Sequence, residues 1–284
     1  MSIVVTGATG KLGRLVVESL LRRGVPAGQI VAAGRSTDKI KDLADRGVQV
    51  RHIDFDQPET LAAAFRGAAK VLLVSGNELG HRVPQHRNAI EAAKAAGVEL
   101  LAYTSAPKAD TSSLLLAAEH RATEEVLRAS GVPFVLLRNS WYFEVYTDQL
   151  PTTLQTGAIL GSAGTGRISG ATRADYAEAA AAVLSGGDHA GAVYELGGDG
   201  SFSLAELADE ITRQSGTPVT YRDLPLDEYR QTLVGYGIPA EAATVYADID
   251  RGIAAGEVLT TTGDLSRLIG RPTTPLSQAV AVAL

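Results

Sequence analysis

The chain has 284 residues, no cysteine, 45% hydrophobic residues and a formal net charge of −6 at pH 7. This composition predicts a globular protein and excludes disulfides, thiolate metal ligands and cysteine nucleophiles, and we assign no metal site. The acidic balance without a basic stripe argues against direct binding to nucleic acid. The sequence has no apolar run of membrane-spanning length and no signal-like opening. We therefore expect a cytoplasmic protein without a membrane partner. Monomer and homodimer both stay open.

Short apolar runs alternate with helical segments from residue 2 to about residue 138. Six strands separated by helices predict a parallel sheet, and therefore an α/β fold with a Rossmann-type, doubly wound sheet. The runs are Ile3–Val5, Gln29–Ala33, Val48–Val50, Val71–Val74, Leu100–Tyr103 and Phe134–Leu137.

The alternation ends after about residue 140. A polar, glycine-rich segment spans residues 157–170, and an alanine-rich helix is predicted over Arg173–Leu184. A return strand is predicted near residues 190–198, at Val193–Leu196.

Beyond this strand, Ser203 and Glu206 form a capping box at the head of a helix, and Val219–Tyr221 predicts another short strand. We therefore predict a Rossmann domain over residues 1–156, to which the return strand also belongs. Residues 157–284 are predicted to form a smaller, mainly helical C-terminal subdomain on the substrate side.

A glycine-rich turn follows the first strand directly and opens the first helix. Its G-x-x-G-x-x-G spacing permits a sharp turn, lets backbone N–H groups approach a pyrophosphate and allows close packing of helix and strand. The alternative is an ordinary strand-to-helix turn. The context favours a dinucleotide site, and the predicted contacts are Gly7, Ala8, Thr9, Gly10, Lys11, Leu12 and Gly13.

The second strand ends in Gly34-Arg35-Ser36, where an NAD-specific site would place a carboxylate. Arginine can bind a 2′-phosphate bidentately, whereas a carboxylate would repel it. Arg35 therefore predicts NADPH as the cofactor. The alternative is a solvated surface arginine.

Ligands of a doubly wound sheet bind outside the carboxyl ends of its strands. This rule predicts further cofactor contacts after the fourth, fifth and sixth strands. They are Ser75, Gly76 and Asn77, then Thr104 and Ser105, then Asn139, Ser140, Trp141, Tyr142, Phe143 and Glu144.

Four aromatic residues concentrate after the sixth strand, in a chain that is only 5% aromatic. Trp141, Tyr142, Phe143 and Tyr146 are predicted to wall a flat apolar substrate pocket. The alternative is that some of them attach the subdomain to the sheet.

Several later segments are more specific than the glycine turn. They include Pro84–Asn88, Ala92–Val98, Ala102–Ser105, Leu136–Asn139, Ala171–Tyr176 and Pro272–Thr274. With them the chain resembles the NmrA-like, atypical branch of the short-chain dehydrogenase superfamily, and within it the bacterial type 2 NAD(P)H:quinone oxidoreductases. The resemblance implies NADPH bound by the turn, Arg35 and the loops after the fourth and sixth strands, with hydride passing to a quinone. Triphenylmethane dye reductases look like relatives, so a dye-like acceptor is also implied.

The sequence departs from most short-chain dehydrogenases because it lacks their Tyr-x-x-x-Lys pair. Tyr103 is followed four residues later by Pro107, and residues 118–124 contain no tyrosine. A quinone tolerates this loss, since its reduced form is a stabilised anion and the enzyme mainly needs to orient its reactants. His81, His86 and His120 are candidate proton donors. His120 is favoured because its helix is expected to face the cofactor.

Two functions fit these observations. The first is an NADPH-dependent oxidoreductase that reduces a quinone or similar planar electrophile without a tyrosine–lysine pair. The alternative is a non-catalytic NADP(H)-binding redox sensor or regulator of the NmrA type, which the missing pair motivates. The fold alone does not choose between them.

Overall fold

A parallel β-sheet organises the computed structural model, which describes residues 2–76, 78 and 80–284. The strands are β1 (Ser2–Val5), β2 (Ile30–Gly34), β3 (Gln49–His52), β4 (Ala68–Leu73), β5 (Leu100–Ser105), β6 (Phe134–Asn139), β7 (Ala158–Gly161), β8 (Val193–Leu196) and β9 (Thr220–Asp223). Seven of them form the main sheet, in the order β3-β2-β1-β4-β5-β6-β8. The predicted Rossmann-type fold is confirmed, and the predicted return strand lies beside β6.

Helices connect the strands and flank the sheet. They are α1 (Lys11–Arg22), α2 (Lys41–Asp45), α3 (Pro58–Phe65), α4 (Arg82–Ala96), α5 (Leu115–Ser130), α6 (Glu144–Thr147), α7 (Leu150–Thr156), α8 (Arg173–Ser185), α9 (Leu204–Ser215), α10 (Leu226–Gly235), α11 (Ala240–Ala254), α12 (Asp264–Ile269) and α13 (Leu276–Ala283). Short 3₁₀ turns occupy Ala27–Gln29 and Thr37–Ile40. None of the described helices is long and apolar enough to cross a membrane.

Strand β1 lies between β2 and β4, so the winding of the chain reverses at this point of the sheet. Such a switch point leaves a crevice at the carboxyl edge of a parallel sheet. The glycine turn follows β1 directly, and the first functional loop is therefore placed at this crevice.

Side chains alternate between two apolar layers, because successive residues of a strand point to opposite faces. Val5 and Leu72 face a core that they share with α1 and α8. Val4 and Val71 face a second core, which includes Ile90 of α4 and residues of α3 and α5. Burial on both faces explains why the central strands are nearly continuous apolar runs, whereas the edge strands β3 and β8 are partly exposed and include charged residues.

The C-terminal part of the chain has a third core, in which α9 and α11 pack with the loops after β6 and β7. Here β7 pairs with β9 in a separate two-stranded parallel sheet. The sequence pattern predicted the β9 region as a strand but not β7, which is only four residues long and lies in the glycine-rich segment.

Two elements beyond residue 156 lie with the main sheet. Helix α8 packs along α1, and β8 extends the sheet beside β6. The return strand was placed with the Rossmann domain, whereas α8 fell within the predicted substrate-side subdomain. The domain boundary after residue 156 stays a prediction.

Candidate functional site

The glycine turn between β1 and α1 has no room for side chains at its key positions. Gly7 has a φ of +63°, a left-handed conformation that favours glycine. A Cβ at Gly13 would overlap the Gly7 carbonyl oxygen, so the third glycine lets α1 approach the turn. Gly10 is the N-cap of α1 and provides no side-chain cap. The first N–H groups of the helix are therefore available to an anion.

A cleft of about 470 Å³ opens above this turn. Six of the seven predicted turn residues line it, namely Gly7, Thr9, Gly10, Lys11, Leu12 and Gly13. Ala8 does not. It is fully buried, and its backbone N–H donates to the Ala33 carbonyl at 3.0 Å. Ala8 therefore packs beneath the turn and does not form part of the cleft wall.

The end of β2 gives the cleft a cationic rim. Arg35 lines the cleft together with Ser36 and Lys39, and its side chain is 63% exposed. Arg35 Nη1 lies 2.9 Å from Glu78 Oε1 across the cleft. Hydrogen bonds from Gln85 and Arg35 lower the pKa of the Glu78 carboxyl. Two cations and a hydroxyl suit a phosphate monoester, which would compete with Glu78 for Arg35.

The loop after β4 is held by side chains beneath it. Ser75 and Gly76 line the cleft, as predicted from their place after the strand. The Ser75 N–H donates to Thr104 Oγ1 at 2.8 Å, and the Gly76 N–H donates to His86 Nε2 at 3.0 Å. Burial lowers the pKa of His86 to about 3, so the ring is neutral and able to accept. Asn77 lies outside the described residues.

His120 lies inside the protein and is not among the residues that line the cleft. It is 8% exposed, and its Nδ1 is 2.7 Å from the Tyr103 hydroxyl. Burial, with the nearby charge of Arg82, holds the pKa of His120 well below its ordinary value. The face of α5 that carries His120 therefore turns towards the core. This geometry argues against the predicted catalytic role, which assumed that this face meets the cofactor.

Thr104 and Ser105 also lie below the cleft surface. Thr104 supports the Ser75 amide, as described above. The buried Ser105 hydroxyl donates to Glu124 Oε1 at 2.7 Å. Glu124 in turn accepts two hydrogen bonds from Arg138, at 2.9 and 2.7 Å, in a pair whose side chains are each 4% exposed. The geometry gives these two predicted cofactor contacts a supporting role beneath the loops.

The end of β6 and the loop after it contain two buried polar atoms without hydrogen-bond partners in the described part of the chain. They are Asn139 Oδ1, an acceptor, and Trp141 Nε1, a donor. Leaving a buried polar group unsatisfied costs about 1–3 kcal/mol, so such atoms commonly meet a ligand or water. Both lie at the carboxyl edge of the sheet, where the predicted ligand end of the site should be.

Two other members of this loop hold it in place. Ser140 is buried, and its hydroxyl donates to the Val258 carbonyl at 2.7 Å. The Glu144 carboxylate accepts the backbone N–H of Arg173 at 2.8 Å, where α8 begins. A negative charge at a helix N-terminus is favourable, so Glu144 fixes the loop to α8.

The aromatic residues of the loop are buried or half-buried, and three of them pack against neighbouring rings. Phe143 is 4% exposed and contacts Phe202, with ring centroids 5.5 Å apart. The Tyr142 ring meets Tyr176 edge-on at 5.1 Å. These two rings attach the loop to its surroundings, which is the packing alternative. Trp141, Tyr142 and Tyr146 are all half-buried, and Tyr146 also lies edge-on against Phe202 with ring centroids 6.2 Å apart. Trp141 and Tyr146 are kept as the candidates for an acceptor wall.

Lys11 links the glycine turn to the region after β6. Its Nζ lies 2.7 Å from Asp148 Oδ2, and Asp148 is also 3.4 Å from Arg173 Nη1. The hydrogen bond from Lys11 lowers the pKa of the Asp148 carboxyl. The predicted phosphate contact by Lys11 therefore competes with an existing ion pair.

Sequence reasoning missed several residues that line the cleft. Ser36, Lys39, Glu78 and Gln85 are among them. Lys39 had a weak signal, as a second cation in the short segment that follows β2 and Arg35. Glu78 and Gln85 had none, since their approach depends on how the loop after β4 folds over the site. Among the described residues, no cluster of His, Asp and Glu is suited to a metal ion.

Comparison with known proteins gives matches over nearly the whole chain. A family model described as NAD(P)H-binding matches residues 7–186. Quinone oxidoreductase 2 of Escherichia coli K12 is 48% identical over 279 residues, which cover 98% of this chain and 97% of that protein. The crystal structure of this NADPH-dependent quinone oxidoreductase in complex with NADPH superposes with a TM-score of 0.95 and covers 99% of both chains.

Two further relatives indicate the breadth of the group. The Citrobacter sp. triphenylmethane reductase, solved in complex with NADP(H), is 40% identical, covers 100% of both chains and has a TM-score of 0.94. An NmrA-like family oxidoreductase of Aspergillus flavus is 27% identical over 99% of this chain and 94% of its own.

The chain belongs to the NAD(P)H-binding family. The resemblance to the NmrA-like proteins and to the bacterial type 2 quinone oxidoreductases is confirmed by these matches.

Proposed function

We propose that this protein is an NADPH-dependent oxidoreductase that transfers hydride to a quinone or a similar planar electrophile, without a tyrosine–lysine pair. The observation that carries the proposal is the 48% identity, across 99% of both chains, to a quinone oxidoreductase solved with NADPH. The redox-sensor alternative has no comparable observation in its favour.

The cleft fits the pyrophosphate and the 2′-phosphate of a dinucleotide cofactor. The bare turn at Gly7, Gly10 and Gly13 can receive the pyrophosphate on the N-terminus of α1. Arg35 and Lys39, at the end of β2, can bind the 2′-phosphate and so favour NADPH over NADH.

The loop after β6 suits the ring end of the cofactor and the acceptor. NADPH supplies the hydride when bound. The buried Asn139 Oδ1 can accept from the carboxamide of a nicotinamide, and Trp141 Nε1 can donate to an acceptor carbonyl. The half-buried rings of Trp141 and Tyr146 would hold a flat acceptor against the nicotinamide at reacting distance.

We also propose where the protein acts, what kind of acceptor it uses and which part of the chain forms the acceptor side. The protein acts in the cytoplasm, as a monomer or homodimer. The acceptor is a free small molecule, either a quinone or a dye-like compound. The region after residue 156, apart from α8 and β8, forms the acceptor side of the site.

Oxidation of NADPH with a panel of benzoquinones and triphenylmethane dyes tests the function. The Trp141→Phe variant should raise KM for the quinone about fivefold and leave the Kd for NADPH unchanged, since it removes the indole N–H and part of the aromatic wall but leaves the phosphate end of the site intact. Tyr246→Phe, at a tyrosine that is 46% exposed, is the control and should change neither. Wild-type protein that oxidises NADPH with no member of the panel would overturn the proposal.

A further inference from the structure

Glu78 faces Arg35 across the cofactor cleft. The order of the central strands is β2-β1-β4, so the loop that begins with Arg35 and the loop that contains Glu78 flank the glycine turn. Both residues line the cleft, and Arg35 Nη1 lies 2.9 Å from Glu78 Oε1. Strands that are two places apart in a sheet are separated by roughly 10 Å. The ion pair therefore bridges the two loops above the turn.

A second hydrogen bond holds the other oxygen of the Glu78 carboxylate. Gln85 of α4 is 4% exposed, and its Nε2 lies 3.2 Å from Glu78 Oε2. The same amide nitrogen donates to Asp56 Oδ2 at 3.0 Å, so two carboxylates share this donor. Each oxygen of Glu78 thus has its own partner. If Arg35 turns to another anion, Gln85 still holds the Glu78 carboxylate at the edge of the cleft.

The charge of Glu78 is present at neutral pH. Hydrogen bonds from Gln85 and Arg35 lower the pKa of its carboxyl. The side chain is 41% exposed, so solvent also reaches it and favours the ionised form. A phosphate bound at Arg35 therefore meets a carboxylate at close range, where like charges repel.

We propose that Glu78 sets the balance between NADPH and NADH: its carboxylate opposes the 2′-phosphate of NADPH and accepts the 2′-hydroxyl of NADH. This inference rests on the proposed function, in which the adenosine ribose lies beside Arg35. The preference for NADPH that Arg35 supplies is thereby limited, and NADH remains a usable cofactor.

NADPH has to displace Glu78 before it gains Arg35. The 2′-phosphate replaces one ion pair of the guanidinium with another, so only the difference between the two contributes to affinity. The phosphate prevails because it carries more than one negative charge and binds a guanidinium bidentately, whereas an exposed ion pair is weak. The displaced carboxylate then repels the phosphate and reduces the gain.

NADH presents a hydroxyl group at the same place. An unphosphorylated ribose leaves the ion pair between Arg35 and Glu78 unbroken, and its hydroxyl donates to the carboxylate in a charge-assisted hydrogen bond. In NAD-specific sites the carboxylate with this role comes from the end of the second strand. Here Arg35 holds that position, and the carboxylate comes from the loop after β4. The cleft thus contains both determinants, on separate loops.

The test measures the affinities of wild type and Glu78→Gln for NADPH and NADH, by fluorescence titration without acceptor at low salt. Glutamine keeps the size of the side chain and an acceptor oxygen but removes the charge. We expect the Kd for NADPH to fall about fivefold and the Kd for NADH to rise about twofold, so that the ratio shifts about tenfold towards NADPH. The shift should shrink at high salt, because exposed charges are screened.

A control and two fragments make the comparison specific. Glu125→Gln, at an exposed carboxyl on α5 that does not line the cleft, changes the net charge equally and should leave both affinities unchanged. The fragments 2′,5′-ADP and 5′-AMP carry only the adenosine end of each cofactor. In calorimetry Glu78→Gln should bind the first more tightly than wild type does and should not bind the second more tightly.

The outcomes separate this inference from the proposed function. A ratio that shifts by less than about threefold at low salt, or an equal shift in Glu125→Gln, would overturn the inference. Wild-type protein that binds both cofactors but oxidises neither with any quinone or dye would refute the proposed function, and the binding comparison would still decide the role of Glu78. Wild-type protein that binds neither cofactor would refute both.

Discussion

The buried carboxyl of Asp250, on α11, predicts a pH dependence of the free energy of unfolding, which can be measured without turnover. Its pKa is raised from 3.8 to about 6 in the folded protein, mainly by burial. The folded state therefore binds more protons than the unfolded state between these two values, and stability is lost as pH rises through this window. A difference of roughly two pKa units corresponds to about 3 kcal/mol once the carboxyl is fully ionised.

The Asp250→Asn variant removes this penalty, because the amide does not ionise. We expect its free energy of unfolding to exceed that of wild type by about 3 kcal/mol at pH 8, and by roughly half of that at pH 5. Urea unfolding followed by circular dichroism at both pH values measures the two differences.

Asp209→Asn provides the control for this experiment, since its carboxyl is exposed on α9. It should leave both unfolding free energies within about 0.5 kcal/mol of wild type. A difference between Asp250→Asn and wild type that stays constant from pH 5 to pH 8 would refute the account of a carboxyl whose ionisation is opposed by burial.

Three other predictions follow from the site. Glu124→Ala should lower the free energy of unfolding by about 2–3 kcal/mol, because the buried Arg138 guanidinium loses two charged hydrogen bonds and keeps only those to Asp110 and Glu195; urea unfolding should show this, and a loss below about 1 kcal/mol would contradict it. His86→Ala should raise the Kd for NADPH about tenfold, because it releases the Gly76 N–H and so loosens the loop after β4. Fluorescence titration measures this Kd, and an unchanged value would show that the hydrogen bond from Gly76 to His86 does not support binding. Gly13→Ala should abolish measurable NADPH binding, because its Cβ would overlap the turn. The control is Gly28→Ala, where a Cβ meets nothing within 4 Å, and it should bind NADPH normally. Equal affinities of the two variants would show that the turn has more room than its geometry indicates.

The fold was predictable from sequence because each buried parallel strand leaves a continuous apolar run. The return strand at Val193–Leu196 is a shorter and partly exposed run that includes Glu195, and it was predicted as a strand although its partner β6 lies more than 50 residues earlier in the chain. By contrast, β7 depends on pairing with β9, and four residues in a glycine-rich segment carry no periodic signal of their own.

The phosphate end of the site was predictable because its chemistry is local. The glycine turn and Arg35 each occupy positions that the strand count defines, and both line the cleft. Glu78 was not predictable, since its contact with Arg35 depends on the loop after β4.

The acceptor end depends on tertiary packing, which single-sequence reasoning does not provide. The helix of His120 was placed correctly, but the direction in which this side chain points is set by the packing of α5. The burial of Asp250 likewise had no sequence signal, because it results from the approach of β7, β9 and α10 to α11.

The most direct test of the central claim is NADPH oxidation with benzoquinone, followed by absorbance, with NADH run in parallel. The experiment compares wild type, Arg35→Ala and a control, Lys41→Ala. Lys41 is exposed and pairs with Asp38. The account predicts acceptor-dependent oxidation that prefers NADPH, with kcat/KM for NADPH about 10- to 100-fold lower in Arg35→Ala and unchanged in Lys41→Ala. Tight binding of NADPH without acceptor-dependent oxidation would contradict the account and favour a redox sensor.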